Sequence, residues 1–334
     1  HVVRHVAVAR ARGEGPRRPR SRYVQDDVHD FAWTADKRFA TPLRGTWTGP
    51  GSPNVAVQVL YAPEYVASAG PALKATQDAL TYFSRTLGPY PYRSVTVVIP
   101  PYNADEAGGM EYPTFFTAEG YAKVPPGSST AASLDFVSIH EFGHGYFYGI
   151  LASNEFEEPM LDEGLNEFWD QRMLRDGHRR YDLLPPWLNR LGVHLPVTDP
   201  FEFERLGAQV DDPSDPTGAS SWNRLDTSGY VSVYSRTATL MRDLEAELGR
   251  PALERAFKDY YATWKFRHPS IADLRESLAV STGRRALIER AFAQQVCAVN
   301  KLDDSLADFT SEPVAPLAGR VVEGGKACLL YTSD

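Results

Sequence analysis

The chain of 334 residues contains only two cysteines, Cys297 and Cys328. Two thiols build neither a disulfide framework nor a thiolate metal cage, so a cysteine-stabilised module is excluded. No apolar run approaches the roughly 20 residues that a membrane-spanning helix needs, and no membrane segment is predicted. Net charge is −8 and pI about 5.6, which argues against nucleic acid as a partner. The early arginines Arg10, Arg12, Arg17, Arg18, Arg20 and Arg22 run against that balance. Glycine and proline interrupt them, as in a solvated loop. Internal repeats and low-complexity tracts are missing too. The first residue is His rather than Met and no signal peptide is visible, so the sequence reads as a fragment. Hydrophobic residues make up 43% of the chain, the usual share for a globular protein of one large domain with remnants, or of two.

What is present is concentrated chemistry. Residues 140 to 144 read His-Glu-Phe-Gly-His, and eighteen residues separate His144 from Glu163. On a helix, positions four apart share a face, so His140 and His144 can present two imidazoles to one metal ion. Glu141 projects from the neighbouring surface, beside an open coordination position. Glu163 opens a second helical pattern, and a hairpin of two helices would bring its carboxylate to the same point. Two His, one Glu and a vacancy describe a catalytic zinc rather than a structural one. Apolar residues at Leu134, Val137, Ile139, Phe142 and Tyr146 predict a largely buried helix, with N-caps available at Ser128, Ser129 and Thr130 and a stop at Gly149. Glu167 and Asp170, four and seven residues after Glu163, share its helical face. Either can accept the second ring N–H of a ligand histidine, and Asp170 is favoured.

Elsewhere the pattern changes along the chain. Asn54–Tyr61 alternates like a strand, and Ser94–Ile99 is a β-branched run that reads as a buried one. Helical spacing covers Pro71–Leu87, Tyr230–Leu248 (stopped by Gly249), Pro251–Trp264 and Ser270–Val280. Residues 185 to 225, rich in Pro, Asp, Gly and Ser, read as long loops. Strands and helices mix up to about residue 120 and helices dominate after 130, which is an α+β order.

Four blocks, in order, resemble the aminopeptidase N and leukotriene hydrolase family of zinc metallopeptidases. Leu87 to Pro100 is similar to that family's approach to the active site. Gly108-Gly-Met-Glu-Tyr-Pro is similar to its G-x-M-E-N motif, with Tyr112 in place of Asn. His140 to His144 with Glu163 match its metal motif. Tyr234 to Leu244 resembles the helix that carries its catalytic tyrosine, with Arg236-Thr237 where Lys-Gly is usual. The likeness spans about residues 24 to 300.

The resemblance implies a thermolysin-like, two-lobed catalytic domain over 53–300, with 1–52 the remnant of a β-rich domain and 301–327 a linker or the start of another domain. It implies one Zn²⁺ per chain on His140, His144 and Glu163, and peptide substrates with a free N-terminus. Gly108, Gly109 and Met110 would lie along the substrate and Glu111 would bind its α-ammonium. Glu141 would be the general base. Tyr234 would donate to the oxyanion, with Tyr230 a possible substitute. Thr237 is bulkier than Gly, so its helix is expected to approach its neighbour less closely. Alternatives are a glycyl aminopeptidase or endopeptidase of a related group, or a catalytically weak binding homologue. The Gly-Gly-Met-Glu-Tyr-Pro variant suggests a bacterial protein, of cytoplasm or periplasm, export included. Cys328 to Asp334 reads like a translated sequencing adapter, hence non-native.

Overall fold

The computed structural model describes residues 24–177, 184, 186–189, 191–193, 201–210, 214–225 and 230–300, together with two strands near the C-terminus. The chain divides into two compact units, residues 1–301 and 302–334.

In the first unit, five strands form one mixed sheet in the order β1-β2-β3-β5-β4. They are β1 (Leu43–Trp47), β2 (Val55–Tyr61), β3 (Ser94–Ile99), β4 (Met110–Tyr112) and β5 (Phe115–Thr117). β2, β3 and β5 run parallel, while the two edge strands β1 and β4 are antiparallel to their neighbours. Val95, Val97, Val98 and Ile99 are all buried, as expected of a β-branched run covered on both faces. β1 falls within residues 1–52 and pairs along its whole length with β2.

Helix α1 (Val66–Thr86) starts five residues before the predicted Pro71 and packs on the sheet and on α2. Its buried face runs through Ala69, Ala72, Ala75, Ala79, Leu80 and Phe83. That spacing is the helical stripe, and its small residues admit close approach. α2 (Ser129–His144) is capped by the Ser128 hydroxyl, which accepts from Ala131 N. The α geometry does not run on to the predicted stop at Gly149. It gives way at Gly145 to one π-helical stretch, Gly145–Ile150, a wider winding that recurs beside functional sites.

α3 (Glu163–Asp176) lies against α2 and along α6 (Ser232–Leu248). Two glycines make those contacts possible. A Cβ on Gly143 would sit 1.9 Å from Asn166 Oδ1, and one on Gly164 would sit 2.4 Å from the Thr237 side chain. Thr237 is fully buried. The expected loosening at this residue is therefore absent, because α3 supplies the glycine opposite it and the two helices still pack closely.

The short α4 (Pro186–Asn189) and α5 (Phe201–Val210) lie within the stretch expected to be loop. α5 packs on α6, with an Arg205–Asp243 ion pair at 3.0 Å and Phe201 beneath the guanidiniums of Arg175 and Arg242. α7 (Arg250–Trp264) and α8 (Ile271–Thr282) match their predicted spans to within two residues, and Ser270 and Asp273 form a capping box on α8. α9 (Arg285–Gln295) was not anticipated. The second unit contains an antiparallel pair, β6 (Gly319–Glu323) and β7 (Lys326–Leu330), with Val321 opposite Cys328. No helix among the described residues is long and apolar enough to cross a membrane.

Candidate active site

The site forms where α2, α3, α6 and the edge strand β4 meet. His140 and His144, one turn apart on α2, place their Nε2 atoms 3.1 Å apart. Glu163, the first residue of α3, brings Oε2 to 3.4 Å from His140 Nε2 and 3.3 Å from His144 Nε2. Donors about 2.0–2.1 Å from a tetrahedral zinc stand about 3.3–3.4 Å from one another, so one ion fits this triangle. Glu163 Oε2 is buried and lacks a hydrogen-bond partner among the described residues, which suits a carboxylate that would hold a cation.

The far side of each imidazole supports the same reading. His140 Nδ1 lies 2.7 Å from Asp170 Oδ2, and His144 Nδ1 lies 2.6 Å from Asp162 Oδ1. A carboxylate at Nδ1 selects the tautomer with hydrogen there and leaves the Nε2 lone pair aimed at the common point. Asp170 is thus the nearer of the two carboxylates named for His140. Glu167 stands farther away, at 3.5 Å from the same nitrogen, and accepts from Gln171 instead.

Asp162 was not singled out from the sequence. It precedes α3, where an aspartate ordinarily caps the helix, yet its side chain makes no cap hydrogen bond. Its carboxylate goes to His144, and the signal was its place beside Glu163. Asn166 also helps hold α2, donating to the His140 carbonyl at 2.7 Å.

A cavity of about 270 Å³ opens over the triangle, lined by residues including Gly109, Met110, Glu111, Glu141, Glu155, Tyr230 and Tyr234. Gly109 lies on its β4 rim, whereas Gly108 precedes that rim and is not among the lining residues. A Cβ on Gly108 would crowd the Asp105 and Ala118 carbonyls at 3.1 and 3.2 Å, and Gly109 adopts φ +70°. Met110 is exposed, and Glu111 is 7% exposed with its side chain in the cavity. Tyr112 turns from the cavity to pack on Phe115, with centroids 5.4 Å apart. Glu141 is equally buried, and its Oε2 has no partner among the described residues. The Tyr234 ring stacks on His140 at 6.0 Å, and the Tyr230 hydroxyl donates to Glu163 Oε1 at 3.5 Å. Both tyrosines thus reach the cavity.

Crowding of buried carboxylates governs the electrostatics. Burial pushes Glu111 up to about 8 and Glu155 up to about 7. Burial also raises Glu141. Glu163 moves the other way: burial opposes its charge, but His144 and His140 outweigh burial and hold it well below the usual range. For both histidines, burial disfavours a proton and the surrounding carboxylates more than restore it. The carboxylates that hold protons on the two histidines would favour a dication at the same point by the same attraction.

No protein-family model and no curated protein matches the chain. Among solved structures, it is similar to an M1 zinc metallopeptidase from Deinococcus radiodurans, with 17% identity and a TM-score of 0.53, covering 78% of this chain and 53% of that one. It is also similar to aminopeptidase A from Legionella pneumophila in complex with aspartic acid, with 14% identity and a TM-score of 0.58, covering 75% and 28% respectively. The chain therefore spans about half the length of the first and just over a quarter of the second. At these identities the likeness is one of fold: an α+β unit with a five-stranded mixed sheet followed by a helical region, as in these metallopeptidases.

Proposed function

We propose that the chain is the catalytic unit, within about residues 53–300, of a zinc-dependent aminopeptidase. The observation that carries this reading is the triangle of His140, His144 and Glu163 donors, with each Nδ1 held by its own carboxylate. The fold likeness to zinc metallopeptidases supports the choice of metal.

These three residues would hold one Zn²⁺, which when bound supplies Lewis acidity toward a carbonyl and lowers the pKa of water. Glu141 takes a proton from the attacking water and delivers it to the leaving amine. Its burial raises its pKa toward working pH, as suits a group that must both accept and donate. Tyr234 donates its phenolic hydrogen to the carbonyl oxygen as charge develops there. Burial first, and the negative charge of Glu163 second, keep that phenol protonated. Gly109 and Met110 on the sheet edge support the peptide backbone. Glu111 holds the α-ammonium, which fixes the scissile bond one residue from the terminus.

The test is metal analysis of the purified protein combined with hydrolysis of an aminoacyl chromogenic amide and of its N-blocked counterpart. One zinc per chain and cleavage of the free-amine substrate alone are expected. Cleavage of the blocked substrate would instead mark an endopeptidase. Zinc without any hydrolysis would mark a binding homologue.

A further inference from the structure

The loop between the two metal-site helices carries an acidic group that the proposed chemistry does not use. Glu155 lines the cavity beside Glu111 of β4. One carboxylate oxygen from each of Glu155, Glu111 and Asp162 lies within 4.8 Å of the others. Three acceptors placed about 2.8 Å from one nitrogen stand about 4.6 Å apart, so an ammonium with three N–H donors suits such a cluster. Asp162 is fully buried, and while its Oδ1 is taken by His144, its Oδ2 has no partner among the described residues. A buried carboxylate oxygen beside two more carboxylates calls for a cation.

The loop is built to hold Glu155 in place. Ala152 adopts φ 58°, a left-handed conformation rare for a residue with a Cβ. Flanking contacts maintain it: Phe266 N donates to Ile150 O, His268 N to Leu151 O, and His268 Nδ1 meets Ala152 O at 2.9 Å. Beyond Glu155, the Phe156 carbonyl accepts from both Ser221 N and Ser221 Oγ. Glu158 Oε1 accepts from Ile271 N at the start of α8. The carboxylate is thus anchored on both sides in sequence.

We infer that Glu155 is a second arm of the ammonium site, closing with Glu111 around the substrate's free N-terminus while Asp162 lends its unused oxygen from behind. A monocation suits the cluster better than a second metal ion. Hard dications of the calcium type gather six or more oxygens, whereas three carboxylates group here among the described residues. This inference rests on the aminopeptidase reading and adds a specificity residue to it.

The test measures binding rather than turnover. Metal-loaded protein is titrated by calorimetry with L-alanine hydroxamate and with N-acetyl-L-alanine hydroxamate, which differ at the amine. Glu155→Gln is isosteric, and thermal melting checks its fold. We expect it to weaken the free-amine ligand about 10–100-fold, the size of one charged hydrogen bond. The acetylated ligand should be unchanged, and Glu155→Asp should restore part of the loss. If Glu111→Gln shows a selective loss and Glu155→Gln shows none, or an equal loss on both ligands, the second arm is refuted and the aminopeptidase reading stands. If the unmodified protein does not prefer the free amine, both fall. Uptake of a second calcium or zinc equivalent that Glu155→Gln abolishes would overturn the inference in favour of a metal.

Discussion

The two halves of helix α3 handle buried charge in opposite ways. Around its first half, Asp162, Glu163 and Asp170 each bury an oxygen that has no partner among the described residues. In its second half, the charges answer one another. Arg172, fully buried, donates to Glu245 at 2.7 Å and Glu254 at 2.8 Å. Its Nη1 alone has no hydrogen-bond partner among the described residues, and the guanidinium lies 4.7 Å from the Trp169 ring. Arg175 and Arg242 add to Glu245, and Arg250 and the Tyr82 hydroxyl close on Asp176. The back of the helix ties α1, α6 and α7 together using charges supplied by the chain. At the front, these oxygens find no hydrogen-bond partner among the described residues. A half-satisfied cluster costs stability, and its place beside a better-paired one supports the proposal that it holds cations.

Substitutions should separate the halves. The largest effect belongs to Glu141→Gln, which is expected to cut turnover by about 10²–10⁴ while zinc stays at one per chain. Unchanged turnover would remove the base from the scheme. Next comes Arg172→Ala in the satisfied half. Stripping one partner from a buried ion pair should cost about 3–5 kcal/mol in urea unfolding and leave the zinc affinity of the folded protein as it was. A change in that affinity would show that the two halves are coupled.

Asp162→Asn should weaken zinc by about 10–100-fold in competition with a chelator, since the amide no longer fixes the His144 tautomer. Gly164→Ala should destabilise by about 1–3 kcal/mol through collision with Thr237. Thr237→Ala should recover part of that loss, and an additive pair would deny the contact.

A further effect is in the pH dependence of the metal-free protein. Glu111 and Glu155 titrate at about 8 and about 7, above the ordinary value of 4.5. The folded state therefore binds more protons than the unfolded one between those values, and stability falls as pH rises from about 4.5 to 8. The melting temperature should drop across that window, and zinc should flatten the slope by displacing protons. A metal-free melting temperature that rises through the window would contradict this.

Much of the site could be read directly because helical spacing is a local property. His140, Glu141 and His144 occupy one turn, and Asp170 follows from counting two turns past Glu163. The strand at Ser94–Ile99 and the capped helix after Ser270 were legible for similar local reasons. α5 escaped because Pro, Asp, Gly and Ser surround it and its packing on α6 outweighs that composition. Asp162 escaped because its local role, a helix cap, is overridden by a histidine eighteen positions away. Glu155 escaped because it stands on an irregular loop, where no periodicity assigns a direction.

The residue order on its own determined which groups share a helix face, since 3.6 residues per turn leaves no freedom in the matter. It also set the balance of carboxylates over imidazoles. The tertiary structure alone decided that Glu163 arrives between the two imidazoles, that Asp162 turns from its helix to His144, and that Glu155 and Glu111 come together at one cavity. Each of these is a contact between separate segments, and for α2, α3 and α6 the close approach depends on Gly143 and Gly164. Distances of that kind come from packing, which no short-range pattern encodes.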